Sequence, residues 1–203
     1  MPDHAGRVIA GRAAGRRLLA PGPGTRPLTD RVKQTLFAIL EPDLPGARFL
    51  DLCAGTGAGA IEALSRGAAG AVLVEQDGRA CRTIAENLAL TGLAGPAVGV
   101  VRAEVLTWLA AAIRSPGREA AIGPFDLVLL DPPYDDQRLL EAILELLGGR
   151  PADSLLGKDA LIVAKHFWRT APPARIGLLR SVRERRFGET TLTFYRRAGT
   201  EDE

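Results

Sequence analysis

The sequence is poor in the residues that build metal centres and disulfide frameworks. Its 203 residues include two Cys, two His and one Met. Cys53 and Cys81 lack the spacing of metal ligands, and with only His4 and His166 beside them we expect no metal site. Two unpatterned thiols are typical of a reduced, cytoplasmic protein, and they argue against a disulfide-stabilised scaffold.

Long apolar runs are also missing. No stretch approaches the ~20 apolar residues that a membrane helix needs, so we expect no membrane association. The Gly- and Arg-rich beginning has no apolar segment of the kind that a secretory signal carries. Hydrophobic residues make up 46% of the chain and charged residues 25%, which is ordinary globular composition. We therefore expect one domain with a full core.

Lysine is scarce, whereas arginine is abundant and unevenly placed. Only three of the 26 basic residues are Lys, and the net charge is +2. A GC-rich genome would produce the same bias toward Arg, so the bias alone does not indicate nucleic acid. Two clusters are nevertheless able to meet a phosphate backbone. They are an N-terminal cluster of Arg7, Arg12, Arg16, Arg17, Arg26 and Arg31, and a C-terminal cluster of Arg180, Arg183, Arg185, Arg186, Arg196 and Arg197.

Short apolar runs and amphipathic stretches alternate through the middle of the chain. The pattern predicts strands at 49–52, 71–74, 97–101, 127–130 and 160–164, and helices at 31–40, 57–65, 77–90, 104–113 and 137–147. Such alternation predicts a doubly wound, mostly parallel, Rossmann-like α/β sheet. Two β-rich runs, 178–186 and 189–197, predict an antiparallel C-terminal pair that closes a seven-stranded sheet.

The two ends of the chain differ from this middle part. Residues 7–19 predict a small β arm or hairpin whose glycines allow turns, and Pro21-Gly22-Pro23-Gly24 breaks the chain after it. We therefore predict an N-terminal arm over 1–30, the α/β domain over 31–197 and a disordered tail over 198–203.

The predicted strand 127–130 leads into Asp131-Pro132-Pro133-Tyr134. Two prolines cannot continue a sheet ladder, and the first one pushes Asp131 into an extended conformation. A carboxylate is thus held stiffly at the carboxyl end of a buried strand, which is the edge where open α/β sheets bind ligands. An acceptor beside a flat ring suits a planar substrate with an N–H group. A proline-rich turn that only ends a strand is the alternative.

A glycine-rich turn follows the first strand of the predicted sheet, in Asp51-Leu-Cys-Ala-Gly-Thr-Gly-Ala-Gly59. Its glycines let the backbone bend and approach a ligand without Cβ clashes. Glu75 ends the next strand, where a carboxylate can accept hydrogen bonds from both ribose hydroxyls. The pattern also fits a dinucleotide fingerprint, so a dehydrogenase is a rival. Asp51 argues against it, because an acid there suits a cationic amino group and is awkward beside a pyrophosphate.

These stretches resemble known enzymes. Asp51–Gly59 resembles the S-adenosylmethionine loop of class I methyltransferases, and Asp131–Tyr134 resembles the Asp/Asn-Pro-Pro-Tyr/Phe motif of enzymes that methylate exocyclic amino groups of bases. Three further stretches are similar to the bacterial 16S rRNA guanine-N2 methyltransferase family (RsmD-like). They are Arg7-Val-Ile-Ala-Gly11, Gly24-Thr-Arg-Pro-Leu-Thr-Asp-Arg31 and Ile61-Glu-Ala-Leu-Ser-Arg-Gly-Ala68. The similarity covers about residues 7–197, and 25–31 is its specific part. The chain differs from the family at Lys165-His166, where relatives usually have Glu rather than Lys before the His.

The resemblance implies methyl transfer from S-adenosylmethionine, with S-adenosylhomocysteine as product, to the N2 amine of a guanine in 16S rRNA. The substrate would lie within an assembling or assembled small ribosomal subunit. The alternative is an N6-adenine methyltransferase that acts on DNA or RNA with the same chemistry. We expect a monomer, and we expect Cys53 to be a packing residue rather than a nucleophile of the kind used in cytosine-C5 methylation.

The resemblance also implies the residues of the site. The catalytic residues are Asp131, Pro132, Pro133 and Tyr134, with Asp131 and the Pro132 carbonyl accepting from the amine and Tyr134 stacking on the base. The cofactor-binding residues are Asp51, Cys53, Ala54, Gly55, Thr56, Gly57, Glu75, Gln76, Ala103, Glu104, Thr29 and Arg31. The residues expected to contact RNA are Arg7, Arg12, Arg16, Arg17 and Arg26 of the arm.

Overall fold

Strands and helices alternate along most of the chain, as the pattern predicts. The computed structural model describes residues 4–20, 22, 29–115, 124–133 and 136–197. The strands within these ranges are β1 (His4–Arg7), β2 (Arg17–Leu19), β3 (Arg48–Leu52), β4 (Gly70–Glu75), β5 (Val98–Arg102), β6 (Phe125–Leu130), β7 (Leu156–Phe167), β8 (Arg175–Ile176), β9 (Leu179–Phe187) and β10 (Thr190–Arg197). The helices are α1 (Asp30–Leu40), α2 (Ala58–Ser65), α3 (Gly78–Thr91), α4 (Val105–Arg114) and α5 (Gln137–Gly148), with 3₁₀ turns at Glu41–Asp43 and Arg150–Ser154.

Four of the five helices named above begin at residues whose side chains cap them. Thr29, Asp77, Glu104 and Asp136 each accept a hydrogen bond from an N–H group in the first turn of α1, α3, α4 and α5, respectively. Such caps satisfy backbone donors that have no partner within the helix. The predicted bounds of all five helices agree with the observed ones to within one residue, although α2 begins after Gly57 without a side-chain cap. No helix in the described ranges is long and apolar enough to cross a membrane.

Strands β3 to β7 form the parallel half of an eight-stranded sheet with the order β5-β4-β3-β6-β7-β10-β9-β8. From β3 the chain proceeds to β4 and β5 on one side, and β6 then lies on the other side of β3. The direction in which strands are added therefore reverses between β3 and β6. Such a switch point opens a crevice at the carboxyl ends of the two strands.

The last three strands build the antiparallel part of the sheet. β10 lies between β7 and β9 and is antiparallel to both, which confirms the predicted C-terminal pair. The two-residue β8 pairs with the beginning of β9 and brings the sheet to eight strands. The prediction counted seven, since two residues carry no periodicity that could indicate a strand.

Helices cover both faces of the sheet. On one face α1, α2 and α3 pack over Phe49 and Leu129, with Phe37 and Ile61 fully buried between them. On the other face α4 and α5 pack over Leu50, Val128 and their neighbours. Each buried strand thus contributes alternate residues to two apolar clusters, as expected for a parallel sheet that is covered on both sides.

The N-terminal strands pack on the α/β domain. The Glu62 carboxylate in α2 accepts hydrogen bonds from the N–H groups of Ile9 at 2.7 Å and Ala10 at 3.0 Å. Asn87 in α3 bonds both the N–H and the carbonyl of Leu19. The arm also supplies buried apolar side chains to the core over α1 and α2, namely Ala5, Val8, Ala13 and Leu18. The predicted tail, 198–203, lies outside the described residues.

Candidate functional site

The carboxyl ends of β3 and β6 lie side by side in the sheet. Leu52, the last residue of β3, pairs with Leu130, the last residue of β6, and the Asp131 N–H donates a hydrogen bond to the Leu52 carbonyl at 3.4 Å. The two acidic residues that the sequence indicates, Asp51 and Asp131, therefore reach the same edge. That edge is the switch point, where open α/β sheets bind their ligands.

Asp51 is a buried carboxylate held against the first turn of α2. Its side chain is 2% exposed, and one oxygen accepts a hydrogen bond from the Ala60 N–H at 2.9 Å. A Cβ on Gly59 would lie 2.9 Å from that oxygen and 2.5 Å from a methyl group of Leu129, so α2 can approach the sheet this closely only with glycine there. Burial raises the pKa of Asp51 well above its usual range; the Ala60 hydrogen bond opposes this, and two neighbouring carboxylates add to it.

Left-handed residues shape the turn between β3 and α2. Cys53, Gly55 and Gly57 have φ angles of 64°, 57° and 75°, a region that glycine enters freely and cysteine rarely. Across the turn, Glu75 accepts the N–H of Gly55 at 2.9 Å on one oxygen and the N–H of Asp77 at 2.8 Å on the other. Each oxygen keeps a second lone pair. The Glu75 carboxylate can therefore also accept from the hydroxyl groups of a ligand.

The Cys53 thiol lies among carboxylates. Burial raises the pKa of Cys53 to about 12, and the charges of Glu75, Asp131, Asp51 and Glu104 contribute to the rise. The thiol is therefore protonated at neutral pH, whereas the thiolate is the nucleophilic form. This argues against covalent catalysis by Cys53. In the part of the chain that the structure describes, no group of three or more His, Cys, Asp or Glu residues could hold a metal ion.

Asp131 forms an ion pair with Lys165. The register that pairs Leu130 of β6 with Ala164 of β7 places the next residues of the two strands side by side, and the Lys165 ammonium donates a hydrogen bond to one Asp131 oxygen. The side chains of Lys165 and Asp131 are 7% and 18% exposed, so both charges are largely removed from water. Burial raises the pKa of Asp131, and the Lys165 ammonium lowers it in part.

A small hollow opens beside the two prolines that follow Asp131. It is lined by Pro132, Pro133, Asp136, Gln137, Leu140, Lys165, His166, Phe167 and Thr170. Both ring nitrogens of His166 have partners within the protein, the Thr193 hydroxyl at 2.8 Å and the Phe167 carbonyl at 2.9 Å. His166 is thus tied into the sheet. Lys165, the ion-pair partner of Asp131, is one of the residues that line the hollow.

Several of the remaining predicted cofactor residues surround the glycine-rich turn. Ala54 and Thr56 are buried within it, and the Asn87 amide donates a hydrogen bond to the Thr56 carbonyl at 3.0 Å. Ala103 lies beside it, because its N–H donates to the Glu75 carbonyl at 3.0 Å. The structure thus brings these residues together, and their contact with a cofactor stays a prediction.

The other predicted cofactor residues cap helices or face solvent. Glu104 caps α4, and hydrogen bonds, above all the one from the Thr107 hydroxyl, lower the pKa of its carboxyl group. Thr29 caps α1, and its side chain is exposed. Gln76 and Arg31 are exposed as well. Their roles toward a cofactor also stay predictions.

The arginines of the arm are at the surface. Arg7, Arg12, Arg16 and Arg17 are all exposed, and Arg7 pairs with Asp30 at 3.2 Å. Arg26 and Tyr134, which the sequence placed in the RNA-binding and catalytic sets, lie outside the described residues. The stacking role of Tyr134 therefore stays a prediction.

Two contacts at this edge escaped sequence reasoning. Asp131 and Lys165 each come directly after the apolar run of a predicted strand, so their adjacency could have been found from the register of two neighbouring parallel strands. Asn87 gave no such signal. Its amide donates to the carbonyls of Leu19 and Thr56, which are 68 and 31 residues away along the chain.

A glycine-rich turn and an Asp-Pro-Pro corner at the switch point of a doubly wound sheet define the class of this protein, the Rossmann-like methyltransferases. The chain belongs to the family described as conserved hypothetical protein 95, whose model matches residues 6–196.

Curated and solved relatives cover almost the whole chain. Ribosomal RNA small subunit methyltransferase D of Escherichia coli K12 is 37% identical over 201 residues, which are 97% of this chain and 94% of the relative. YlbH of Bacillus subtilis 168 is 38% identical over 194 residues, 95% of this chain and 100% of the relative. The solved structure of yhhF from Escherichia coli superposes with a TM-score of 0.79 at 32% identity and covers 98% of this chain and 100% of its own. These relatives confirm the predicted fold class and the family resemblance.

Proposed function

We propose that the chain transfers a methyl group from S-adenosylmethionine to the exocyclic N2 amine of a guanine in 16S rRNA. The observation that carries the proposal is the position of Asp131, Pro132 and Pro133 beside the glycine-rich turn at the switch point. The relative named Ribosomal RNA small subunit methyltransferase D supports the reaction and the class of substrate. An N6-adenine methyltransferase that uses the same corner is the alternative.

The turn between β3 and α2 fits a ligand that carries positive charge and a ribose. Burial raises the pKa of Asp51, and the nearby carboxylates of Asp131 and Glu75 add to the rise, so carboxylates repel one another at this edge of the sheet. A cationic ligand would relieve that repulsion. Asp51 would meet the amino group of the cofactor, the backbone of Gly55 and Gly57 its methionine part, and Glu75 its ribose. S-adenosylmethionine, when bound, supplies the activated methyl group.

Asp131 and the Pro132 carbonyl would accept hydrogen bonds from the target amine. A guanine amine is a poor nucleophile, because its lone pair is delocalised into the ring. Drawing its N–H groups toward two acceptors favours a pyramidal nitrogen whose lone pair can point at the methyl group. Pro132 and Pro133 fix their own φ angles and therefore hold the acceptors rigidly. Their contribution is orientation, which is the main demand of an in-line transfer.

The acceptor base would be held by stacking as well as by hydrogen bonds. Tyr134 follows the two prolines directly, and a base on an aromatic ring is stabilised by about 1–3 kcal/mol. The target guanine must already lie in a loop or must leave its stack to reach Asp131. No strong base is needed before attack, since the proton can leave after the methyl group has arrived.

The RNA would approach over the N-terminal arm. Its exposed arginines, Arg7, Arg12, Arg16 and Arg17, support this, and we assign Arg26 to the same surface. The proposal divides the chain into an RNA-contacting arm at 1–30, a methyltransferase domain at 31–197 and a tail at 198–203. It also has the chain act as a monomer in the cytoplasm, on an assembling or assembled small ribosomal subunit.

Transfer of tritium from labelled S-adenosylmethionine to small-subunit RNA tests the proposal. Naked 16S rRNA and assembled subunits are both offered, and mass spectrometry of the digested nucleosides identifies the product. N2-methylguanosine supports the proposal, N6-methyladenosine supports the alternative, and no transfer to either substrate would rule out both.

Asp131→Ala separates catalysis from cofactor binding. We expect transfer to fall by at least about 10²-fold, in the range for loss of an oriented group in a reaction centre, while the Kd for S-adenosylmethionine stays within about threefold. Asp159→Ala is the matched control, because Asp159 is an exposed residue of β7. Equal effects of the two substitutions would show that Asp131 has no special role.

A further inference from the structure

We propose that Lys165 is a positioning residue that keeps Asp131 ionised and leaves its second carboxylate oxygen for the substrate amine. The inference rests on the proposed function, in which Asp131 is the acceptor. It adds a residue on a second strand, β7, to the Asp-Pro-Pro corner on β6.

The sheet register fixes where the two side chains lie. Leu130 and Ala164 are the last pair of the β6–β7 ladder, and Asp131 and Lys165 follow them. In a parallel pair, neighbours at the same level project from the same face. Both side chains therefore project on the face covered by α1, α2 and α3, the face that also carries Asp51. The contact is a consequence of the strand register rather than of a chance surface encounter.

The surroundings of Asp131 disfavour its charge. Its side chain is only 18% exposed, and this burial raises the pKa of Asp131. Among the groups that the structure describes around Asp131, Lys165 is the one that favours the carboxylate. A protonated Asp131 would carry an O–H donor toward an amine that needs an acceptor. Loss of the Lys165 charge should therefore impair transfer through the ionisation of Asp131.

The test compares Lys165→Met, which removes the charge, with Lys165→Arg, which keeps it. The turnover number at saturating RNA and S-adenosylmethionine is measured from about pH 6 to about pH 10, the range in which a displaced carboxyl pKa would be seen. Without Lys165 the Asp131 pKa rises, so its ionised fraction returns only at higher pH. We expect the turnover number of Lys165→Met to be at least about tenfold lower than that of the wild type at neutral pH, the effect of a rise of about one unit in the pKa of Asp131. Turnover should recover as the pH rises. Lys165→Arg should follow the wild-type profile.

Two outcomes would overturn the proposal. One is a Lys165→Met profile that is reduced by the same factor at every pH, which would mean a structural role. The other is a profile that coincides with that of the wild type.

If Lys165→Met does not fold, the ¹³Cγ shift of Asp131 is titrated in the wild type and in Lys165→Arg, with Asp131→Asn for assignment. A carboxyl group that titrates at or above neutral pH in the wild type also contradicts the proposal. Failure of the wild type to methylate RNA would instead contradict the proposed function, and the shift titration would still report on the pair.

A second observation independently points to an RNA-binding surface on β9. The indole ring of Trp168 has the guanidinium of Arg186 at 3.9 Å and that of Arg169 at 4.8 Å from its ring centroid. β9 also carries the exposed Arg183 and Arg185, which project from the opposite face to Arg186, so that guanidinium groups lie on both sides of this edge strand. We infer that these five residues, the β9 surface, bind the RNA backbone next to the target nucleotide. This inference also rests on the proposed function.

The topology places the β9 surface at the edge of the sheet that holds Asp131. β9 is antiparallel to β10 and β10 is antiparallel to β7, so the end of β9 lies at the same edge as the end of β7. Three strand spacings separate β6 from β9, roughly 14 Å. The outer edge of β9 beyond Arg180 has no strand partner among the described residues. Guanidinium groups along this edge, next to an aromatic ring, are the groups that bind RNA phosphates and bases.

Charge reversal tests the surface. Arg185→Glu/Arg186→Glu should raise the KM for RNA by at least about tenfold, and the slope of its salt dependence should fall by about one unit for each phosphate that the variant no longer binds. The turnover number and the Kd for S-adenosylmethionine should not change. Arg175→Glu on β8 is the matched control, because Arg175 is exposed and β8 pairs only with the beginning of β9, far from Asp131.

Charges on an unpaired strand also prevent pairing with other copies of the sheet. If the double variant keeps the wild-type KM for RNA, the inference is wrong; self-association of that variant would then assign the arginines to edge protection. An equal rise in KM for Arg175→Glu would contradict it too, since it would reflect net charge alone. Wild-type transfer to RNA in the same assay keeps the proposed function separate from these outcomes.

Discussion

The carboxylate of Glu62 accepts a hydrogen bond from the backbone N–H of Ile9 at 2.7 Å, and this contact joins the N-terminal arm to α2. Glu62 is fully buried, and its other oxygen accepts from the Ala10 N–H at 3.0 Å and from the Arg66 guanidinium at 2.8 Å. A buried carboxylate is stable only when its oxygens have partners. Glu62 is thus one of the side chains that hold the arm to the domain, and its loss would leave several donors without acceptors.

Glu62→Ala should destabilise the protein by about 3–5 kcal/mol, the range for removing one partner of a buried charged network. Chemical unfolding measures the change. Glu86→Ala, an exposed residue of α3, is the control and should stay within about 0.5 kcal/mol of the wild type. Limited proteolysis should cut the arm of Glu62→Ala first. A small change in stability, with the arm still protected, would mean that its other contacts, the Asn87 hydrogen bonds and the apolar packing, are enough to hold it.

Gly59→Ala should disturb the junction between α2 and β3. A Cβ there meets Leu129 at 2.5 Å and the Asp51 carboxylate at 2.9 Å, so α2 must shift away from the sheet. Overpacking of this kind costs about 1–3 kcal/mol, and the Ala60 hydrogen bond to Asp51 should weaken with it. Unfolding and calorimetric binding of S-adenosylmethionine should both show a loss. Gly99→Ala is the control, because a Cβ there meets nothing closer than 3.9 Å.

Local signals account for what the sequence predicted well. The caps at Asp77 and Glu104 and the apolar runs of β3 and β6 each lie within a few residues of the element they define. Glycine at 55 and 57 indicated a tight turn, and both residues are left-handed there. The edge of the sheet that carries the site follows from these signals, since the carboxyl ends of parallel strands meet at one edge.

Contacts between distant segments could not be predicted in this way. Asn87 joins β2 to the turn after β3, and Glu62 joins α2 to residues more than 50 positions earlier in the chain. Asn87 belongs to none of the motifs, and the family-like stretch that contains Glu62 does not indicate that its side chain is buried. A polar side chain in a helix is more often exposed than buried. The positive φ of Cys53 could not be predicted either, since a cysteine in a sequence does not indicate this conformation.

Cys53 should be nearly inert toward alkylating reagents in the folded protein. Its pKa is raised from 9.0 to about 12, so its thiolate fraction at pH 8 falls by roughly 10³-fold, and the alkylation rate should fall in proportion. Peptide mass spectrometry after iodoacetamide treatment gives the rate, and the same residue in denatured protein provides the reference. A folded Cys53 that reacts as fast as the denatured one would restore covalent catalysis as an alternative.

Asp51→Asn should make the protein more stable and the cofactor bind more weakly. The folded pKa of Asp51 is raised by burial, so its contribution to stability is fully present below the unfolded pKa of about 3.9 and is lost as the pH rises through the folded pKa. The free energy of unfolding of Asp51→Asn minus that of the wild type should therefore increase with pH and level off above the folded pKa. Urea unfolding at a series of pH values measures this difference.

The same substitution removes the charge that would meet the cofactor's amino group. Hydrogen bonds to charged groups contribute about 1.5–3 kcal/mol, so we expect the Kd for S-adenosylmethionine to rise by roughly 10- to 100-fold. Because the asparagine side chain can still accept from the Ala60 N–H, the turn itself should keep its shape. A stability difference that does not change with pH would mean that burial does not raise the pKa of Asp51 in the folded protein. An unchanged Kd would remove Asp51 from the cofactor site and would leave the burial of its carboxylate without a functional explanation.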